Sequence, residues 1–191
     1  VPGVEAQFER LTHAVEATLK PEVLLFDMDG VLADVSASYR QAIVETASSF
    51  GVDLSLDEIA RAKQGAGVNN DWELTQRLLK DRGVDARFED VKARFEARYQ
   101  GDDARPGLHE KETLLCAKAL LARLKARLPL GIVTGRPRPD AERFLAQAGI
   151  AHLFDAVVCM EDATLKPDPA PVALALKQLG ATRAWMVGDT P

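Results

Sequence analysis

The chain has 191 residues, which is room for one domain or for a core carrying an insertion. Its apolar share of 47% and charged share of 28% are ordinary for a folded globular protein and exclude a disordered one. Lys and Arg total 24 against 29 Asp and Glu, for a net charge of −5, so the basic surface that a phosphate backbone requires is missing and nucleic acid is not an expected partner.

The opening residues Val-Pro-Gly-Val-Glu-Ala carry neither a basic n-region nor an apolar h-region, and no apolar run approaches the ~20 residues of a membrane span. Neither a secretory signal nor a membrane partner is therefore expected, and a cytoplasmic location fits. Cys116 and Cys159 lie in apolar sequence without metal-ligand spacing, which predicts two buried, reduced thiols.

Between residues 4 and 19, Val4, Phe8, Leu11, Val15 and Leu19 recur at helical spacing, and Pro21 closes the pattern. The spacing predicts an amphipathic helix whose apolar stripe packs on something else. Val23 to Phe26 is too short for a helix and apolar at every position, as a strand buried on both faces must be. Segments 130–133, 156–159 and 184–187 share that character. Helical patterns over 110–127, 140–148 and 170–179 separate these later strands, which predicts an α/β fold with a Rossmann-like parallel sheet.

From about Val35 to Gly107 the rhythm changes. Segments 36–50, 55–63, 70–82 and 88–99 read as helices, with Gly51, Gly83 and Gly101 where helices stop. The expected organisation is an N-terminal helix over 1–21, a core formed by 22–34 and 108–191, and an all-helical cap over 35–107. Seven basic and seven acidic residues between Lys80 and Arg105 balance, as on a solvated helix surface.

Ligands of open α/β sheets bind beyond the carboxyl ends of the strands. Those ends read Asp27-Met28-Asp29-Gly30, Thr134-Gly135-Arg136, Glu161-Asp162 with Lys166-Pro167-Asp168, and Gly188-Asp189-Thr190. Asp27 and Asp29 stand two apart and can project from one side of a strand. Two close carboxylates repel, so they invite a shared proton or a cation, and with Asp189 they form a set of hard oxygen donors suited to Mg²⁺. A carboxylate is also a nucleophile toward phosphorus. Lys166 offers a point positive charge, and Thr134 and Gly135 offer a hydroxyl and a backbone N–H.

Segments 25–32, 133–135, 166–169 and 187–190 resemble the four ordered motifs of the haloacid dehalogenase-like superfamily, over nearly all of residues 22–191. The helical insertion resembles the cap of its phosphatase and phosphosugar-mutase branch. The resemblance implies Asp27 as nucleophile, Asp29 as general acid/base, Thr134, Gly135 and Lys166 around the phosphoryl group, and Mg²⁺ held by Asp27, Asp189 and the Asp29 carbonyl. The second carboxylate favours phosphoryl transfer over dehalogenation. The implied activity is a phosphatase for a small phosphorylated metabolite, with a phosphosugar mutase or a non-catalytic accessory domain of a fused enzyme as alternatives. The family's fourth motif runs on to a further acidic residue, a helix and a strand, none of which falls before Pro191. Residues 8–15 resemble the last helix of histidinol-phosphate-type aminotransferases, which would make such a domain a fused or associated partner and a phosphorylated amino-alcohol a candidate substrate. A plain helix packing on the core is the other reading.

The segment 63–72 leaves two readings open. Lys63, Asn69 and Asn70 could contact the substrate's leaving group, or Asn70 or Asp71 could cap the next helix with Trp72 packed in the cap. Arg136 could meet a substrate anion or pair with a surface carboxylate, and Asp168 is expected to cap the helix after it.

Overall fold

The computed structural model describes residues 4–64 and 70–189. Helix α1 (Val4–Leu19) leads into strand β1 (Val23–Phe26) and the two-residue strand β2 (Ala33–Asp34). Helices α2 (Tyr39–Ser48), α3 (Leu56–Gln64), α4 (Asp71–Asp81) and α5 (Phe88–Gln100) follow, then a small hairpin of β3 (Gly101–Asp102) and β4 (Arg105–Pro106). Strand β5 (Thr113–Leu114) brings the chain back. The remaining elements alternate: α6 (Lys118–Lys125), β6 (Leu130–Val133), α7 (Arg138–Gln147), β7 (Ala156–Val158), α8 (Ala170–Leu179) and β8 (Ala184–Val187).

The main sheet is parallel, in the order β7-β6-β1-β8, with Leu24 beside Leu130 and Phe26 beside Val187. Every residue of β1 and β6 is buried, as the uninterrupted apolar runs demand. Alternation along β1 divides the core. Val23 and Leu25 face one way and join Val133, Val158 and Ala175 of α8. Leu24 and Phe26 face the other way and belong to one continuous apolar cluster that includes Ile43, Leu74, Phe95 and Tyr99 of the inserted helices. Each fully buried Leu or Phe in that cluster contributes ~1.5–3 kcal/mol, so cap and core share one apolar core.

The four inserted helices lie within two residues of their predicted ends, save the start of α2, which comes three later than Ser36. At the start of α3 the Ser55 and Glu58 side chains cap each other's backbone, the Ser55 N–H donating to Glu58 Oε2 at 2.8 Å and the Glu58 N–H to Ser55 Oγ at 3.3 Å. The insertion is nevertheless not all helix. Gly101, at φ 74°, stops α5, and Asp102 Oδ1 accepts the N–H groups of Ala104 and Arg105, which turns the chain into the β3–β4 hairpin.

The predicted helix over 110–127 is also corrected. Leu108–Lys111 is a 3₁₀ turn, and only Lys118–Lys125 is α-helix. Between them Leu114 pairs with Ala33, and the Leu115 N–H donates to Leu32 O at 2.9 Å. Pairing with the strand that leaves the core overrides the local apolar periodicity, and Leu115 and Leu120 end exposed. Of the two thiols only Cys159 is buried, which pushes its pKa up to about 11; Cys116 is half-buried. The α1 stripe does not find the expected cover: Leu11 is 61% exposed, and Val15 and Leu19 are exposed with it. No described helix is long and apolar enough to cross a membrane.

Gly51 and Gly101 separate two costs of adding a methyl group. Both have positive φ, but a Cβ at Gly51 meets nothing, whereas one at Gly101 overlaps the Gly107 backbone and stands 2.6 Å from Arg105 O. Gly51→Ala is expected to cost about 1–2 kcal/mol from conformation alone. Gly101→Ala is expected to cost about 1–3 kcal/mol more through overpacking. Urea unfolding of the two variants checks the difference.

Candidate active site

The parallel register sets the first part of the site. The Asp27 N–H donates to Val187 O at 2.9 Å, so Asp27 and the Gly188-Asp189 pair leave adjacent strands side by side. Gly30 then turns back with φ 73°, and its bare Cα lies against the Asp189 carboxylate. Any Cβ there would overlap Asp189 Oδ2, so the glycine is required for the approach of the two motifs as well as for the turn.

Asp27 is largely buried. Its Oδ1 accepts the Met28 N–H at 2.8 Å, and its Oδ2 accepts a short hydrogen bond from Lys166 Nζ, which also reaches Val133 O at 3.3 Å. Burial pushes the Asp27 carboxyl above its ordinary range; Lys166 opposes that shift, and the nearby Asp29 charge adds to it. Lys166 thus arrives from the loop before α8 with its charge on the carboxylate expected to be nucleophilic. Asp168 lies one residue ahead of the Pro169 N-cap, where its Oδ1 accepts the Ala170 N–H at 2.8 Å and ties that loop to the start of α8. Thr134 is buried beyond β6, where its Oγ1 accepts the Arg136 N–H at 3.2 Å and so retains a hydroxyl proton to donate. Gly135 follows, half-buried, with no side chain to obstruct its N–H.

Arg136 differs from both sequence readings. It is neither at a surface carboxylate nor open to a substrate anion: its side chain is 1% exposed. Nε donates to Asp29 Oδ1 at 2.6 Å and Nη1 to Glu112 Oε2 at 2.8 Å, and Glu112 is itself 2% exposed. Burial works against this charge, but Asp29, the two tyrosines and Glu112 together hold its pKa well above the usual value. Glu112 Oε1 accepts from Ser38 Oγ at 2.7 Å and from the Tyr99 hydroxyl at 3.1 Å. Sequence reasoning placed Glu112 within the predicted helix over 110–127 and missed this network. The signal available was Arg136 itself, since a charge three residues beyond a fully apolar strand needs a partner if it is buried.

The cap residues separate. Lys63 pairs with Asp71 at 2.8 Å. Burial disfavours the Lys63 charge, yet Asp71 and, across the interface, Asp29 raise its pKa above the ordinary value. Asn70 acts as a helix cap, with Oδ1 accepting the N–H groups of Trp72 and Glu73 at 3.0 and 3.3 Å, so its carbonyl oxygen is occupied. Trp72 packs in the cap with Nε1 donating to Glu96 at 3.0 Å. Asn69 lies outside the described residues. Beyond β7, Glu161 accepts the Arg138 N–H and Asp162 pairs with the Arg138 guanidinium at 2.5 Å, so neither joins the site.

The donor set can be tested for a hard divalent cation. The Asp29 carboxylate is committed to Arg136, and among the described residues no three His, Cys, Asp or Glu side chains form a ready ligand group. The Asp27 and Asp189 carboxylates remain, with the Asp29 carbonyl, as the donors that the resemblance implies. Two hard carboxylates from adjacent strand ends, one of them costly to ionise because it is buried, fit a small cation that otherwise keeps water ligands.

Because the Glu112 carboxylate is buried in an ion pair with Arg136, removing the guanidinium leaves an uncompensated charge. Arg136→Ala is expected to destabilise the protein by about 3–5 kcal/mol, and Glu112→Gln in the same chain to recover part of that loss. Denaturant midpoints of the single and double variants provide the check.

The family described as haloacid dehalogenase-like hydrolase matches residues 21–191. A phosphoglycolate phosphatase of Rhodospirillum rubrum is 34% identical over 187 residues, covering 90% of this chain and 73% of that one. A protein of Phytophthora nicotianae named imidazoleglycerol-phosphate dehydratase is 50% identical over 177 residues, covering 88% of this chain; the chain spans only 39% of that relative's length. Among solved structures, a phosphatase from Thermococcus thioreducens superposes with a TM-score of 0.63 at 25% identity, over 81% of this chain and 79% of its own. The chain belongs to the haloacid dehalogenase-like hydrolases.

Proposed function

We propose that the protein hydrolyses a small phosphate monoester with Asp27 as nucleophile. The observation that carries this reading is the buried Asp27 carboxylate, set at a strand end, hydrogen-bonded to Lys166 and flanked by Thr134 and Asp29. An Asp27 oxygen forms a bond to phosphorus while the ester P–O bond breaks. Asp29 gives a proton to the departing oxygen. Water then attacks the aspartyl-phosphate, Asp29 takes back a proton, and inorganic phosphate leaves with Asp27 restored. Lys166, the Thr134 hydroxyl and the Gly135 N–H face the charge that develops on the phosphoryl oxygens.

Asp27 and Asp189, with the Asp29 carbonyl, would hold Mg²⁺. When bound, the ion offsets the charge between an anionic ester and an anionic nucleophile. Lys63 is the described cap residue whose charge bears on Asp29, which supports a part for it in holding the substrate's far end.

The relative from Phytophthora narrows the substrate class. Its name refers to a phosphate ester that carries an imidazole ring, and more than half of it lies outside the part matched by this chain. That pairing supports a substrate with a nitrogen heterocycle and a phosphorylated side chain, including a phosphorylated amino-alcohol, and work beside an enzyme of that chemistry. A screen should compare such esters with phosphoglycolate; faster release from phosphoglycolate would overturn the heterocycle reading and leave the phosphatase reading intact.

Phosphate release from p-nitrophenyl phosphate, without any bisphosphate activator, is expected for the wild type and absent for Asp27→Asn. Lys166→Ala is expected to lose about 10²–10³-fold in kcat, as when one oriented donor is removed from a charge-stabilising site. Mg²⁺ at about 100 times its Kd should add ~2.7 kcal/mol of stability to the wild type. Thermal unfolding should show this as a rise of several degrees that Asp189→Asn lacks; an equal rise in both would remove Asp189 from the metal site.

A further inference from the structure

We propose that Arg136 is a positioning residue: it fixes Asp29 for proton transfer and makes that placement depend on the seating of the cap. The proposal rests on the reading of Asp29 as general acid/base. Its own basis is geometric. Nε holds Asp29 Oδ1 at 2.6 Å, and no described protein group donates to Oδ2, so one oxygen is anchored and the other is available to a leaving group or a water. Asp29 stands three residues past the end of β1, beside the turn at Gly30, where a side chain has several staggered options. The guanidinium selects one of them.

The guanidinium is itself placed by groups of two origins. From the core come Glu112 and the ring of Phe144, 5.3 Å from the guanidinium carbon. From the cap come the Tyr39 ring at 4.9 Å and the Tyr99 hydroxyl at 3.4 Å from Nη1, while Ser38 at the threshold of α2 and Tyr99 both donate to Glu112. Tyr39 and Tyr99 stack at 4.3 Å, and the Tyr39 hydroxyl donates to Asp140 of α7 at 3.3 Å. Among the described residues Arg136 Nη2 is buried with no hydrogen-bond partner, so the fork is held through Nε and Nη1. A guanidinium clamped at Nε and Nη1 and stacked on two rings has little rotational freedom, and a shift of α2 and α5 against the core would be felt at Asp29 through it.

Leaving-group dependence separates this role from a merely structural one. An alkyl phosphate needs a proton on its departing oxygen, whereas p-nitrophenyl phosphate leaves without one. Arg136→Lys, and the charge-balanced pair Arg136→Met with Glu112→Gln, are to be assayed on both substrates beside Asp29→Asn, with melting curves confirming that each variant is folded. The expected result is a kcat/KM loss, which reads ester cleavage and not the later attack of water that both esters share, of about 10²-fold on the alkyl ester and under tenfold on the aryl ester for the charge-balanced pair, a smaller loss in the same ratio for Arg136→Lys, and no further loss when the pair is added to Asp29→Asn. Equal losses on both esters, or losses that multiply with those of Asp29→Asn, would overturn the Arg136 proposal. If Asp29→Asn itself shows no difference between the esters, the acid/base reading fails instead, and the two failures are told apart by that one variant.

Discussion

Like charges cannot be gathered at the end of a buried sheet unless fixed countercharges are gathered with them, and that constraint organises this molecule. Asp27 and Asp29 leave β1 two residues apart, and the Asp29 charge adds to the cost of ionising the buried Asp27. Each is met by its own cation from a different part of the chain: Asp27 by Lys166 from the loop before α8, Asp29 by Arg136 from the end of β6. The pairing divides the labour. Lys166 is partly exposed and can turn from the carboxylate to a phosphoryl oxygen, while Arg136 is sealed between aromatic rings and cannot. One cation is placed for exchange and the other for permanence.

The permanent charge also explains why the cap is joined to the core as it is. Alternation along β1 sends Leu24 and Phe26 into the same apolar cluster as the inserted helices, so no water layer separates the two at this level. An Arg–Glu pair in such a place has a desolvation cost that only a complete set of partners offsets. Ser38, Tyr39 and Tyr99 from the insertion supply much of that set. Apolar packing supplies most of the adhesion, and the polar network sets which rotation of cap on core satisfies every donor.

Much of this was legible in the residues. Four uninterrupted apolar runs gave the parallel strands, and the polar residues just beyond them gave Asp27, Thr134, Lys166 and Asp189 as one group, because a strand end is a defined place even before the sheet is built. What was not legible depended on non-local pairing. Residues 110–117 carry helical spacing, but β2 offers Leu114 and Leu115 backbone partners, and that choice moves Glu112 from an imagined helix surface into the interior. Arg136 was then misread because its partner was misplaced. Asn70 was ambiguous between cap and ligand for a different reason: the same side-chain oxygen serves either purpose, and only the N–H groups of Trp72 and Glu73 in place before it decide.

The route by which each site residue is placed follows from the sheet. Asp27 and Thr134 follow β1 and β6, whose residues are buried on both faces, so the groups around phosphorus are held by packing. Asp189 is brought to them by backbone geometry, through the register of β8 against β1 and the close approach to Gly30. A cation that demands a strict geometry is thus offered two carboxylates whose separation is set by strand pairing and by the one position where a side chain is missing, and a methyl group at Gly30 would move the second donor away from the nucleophile.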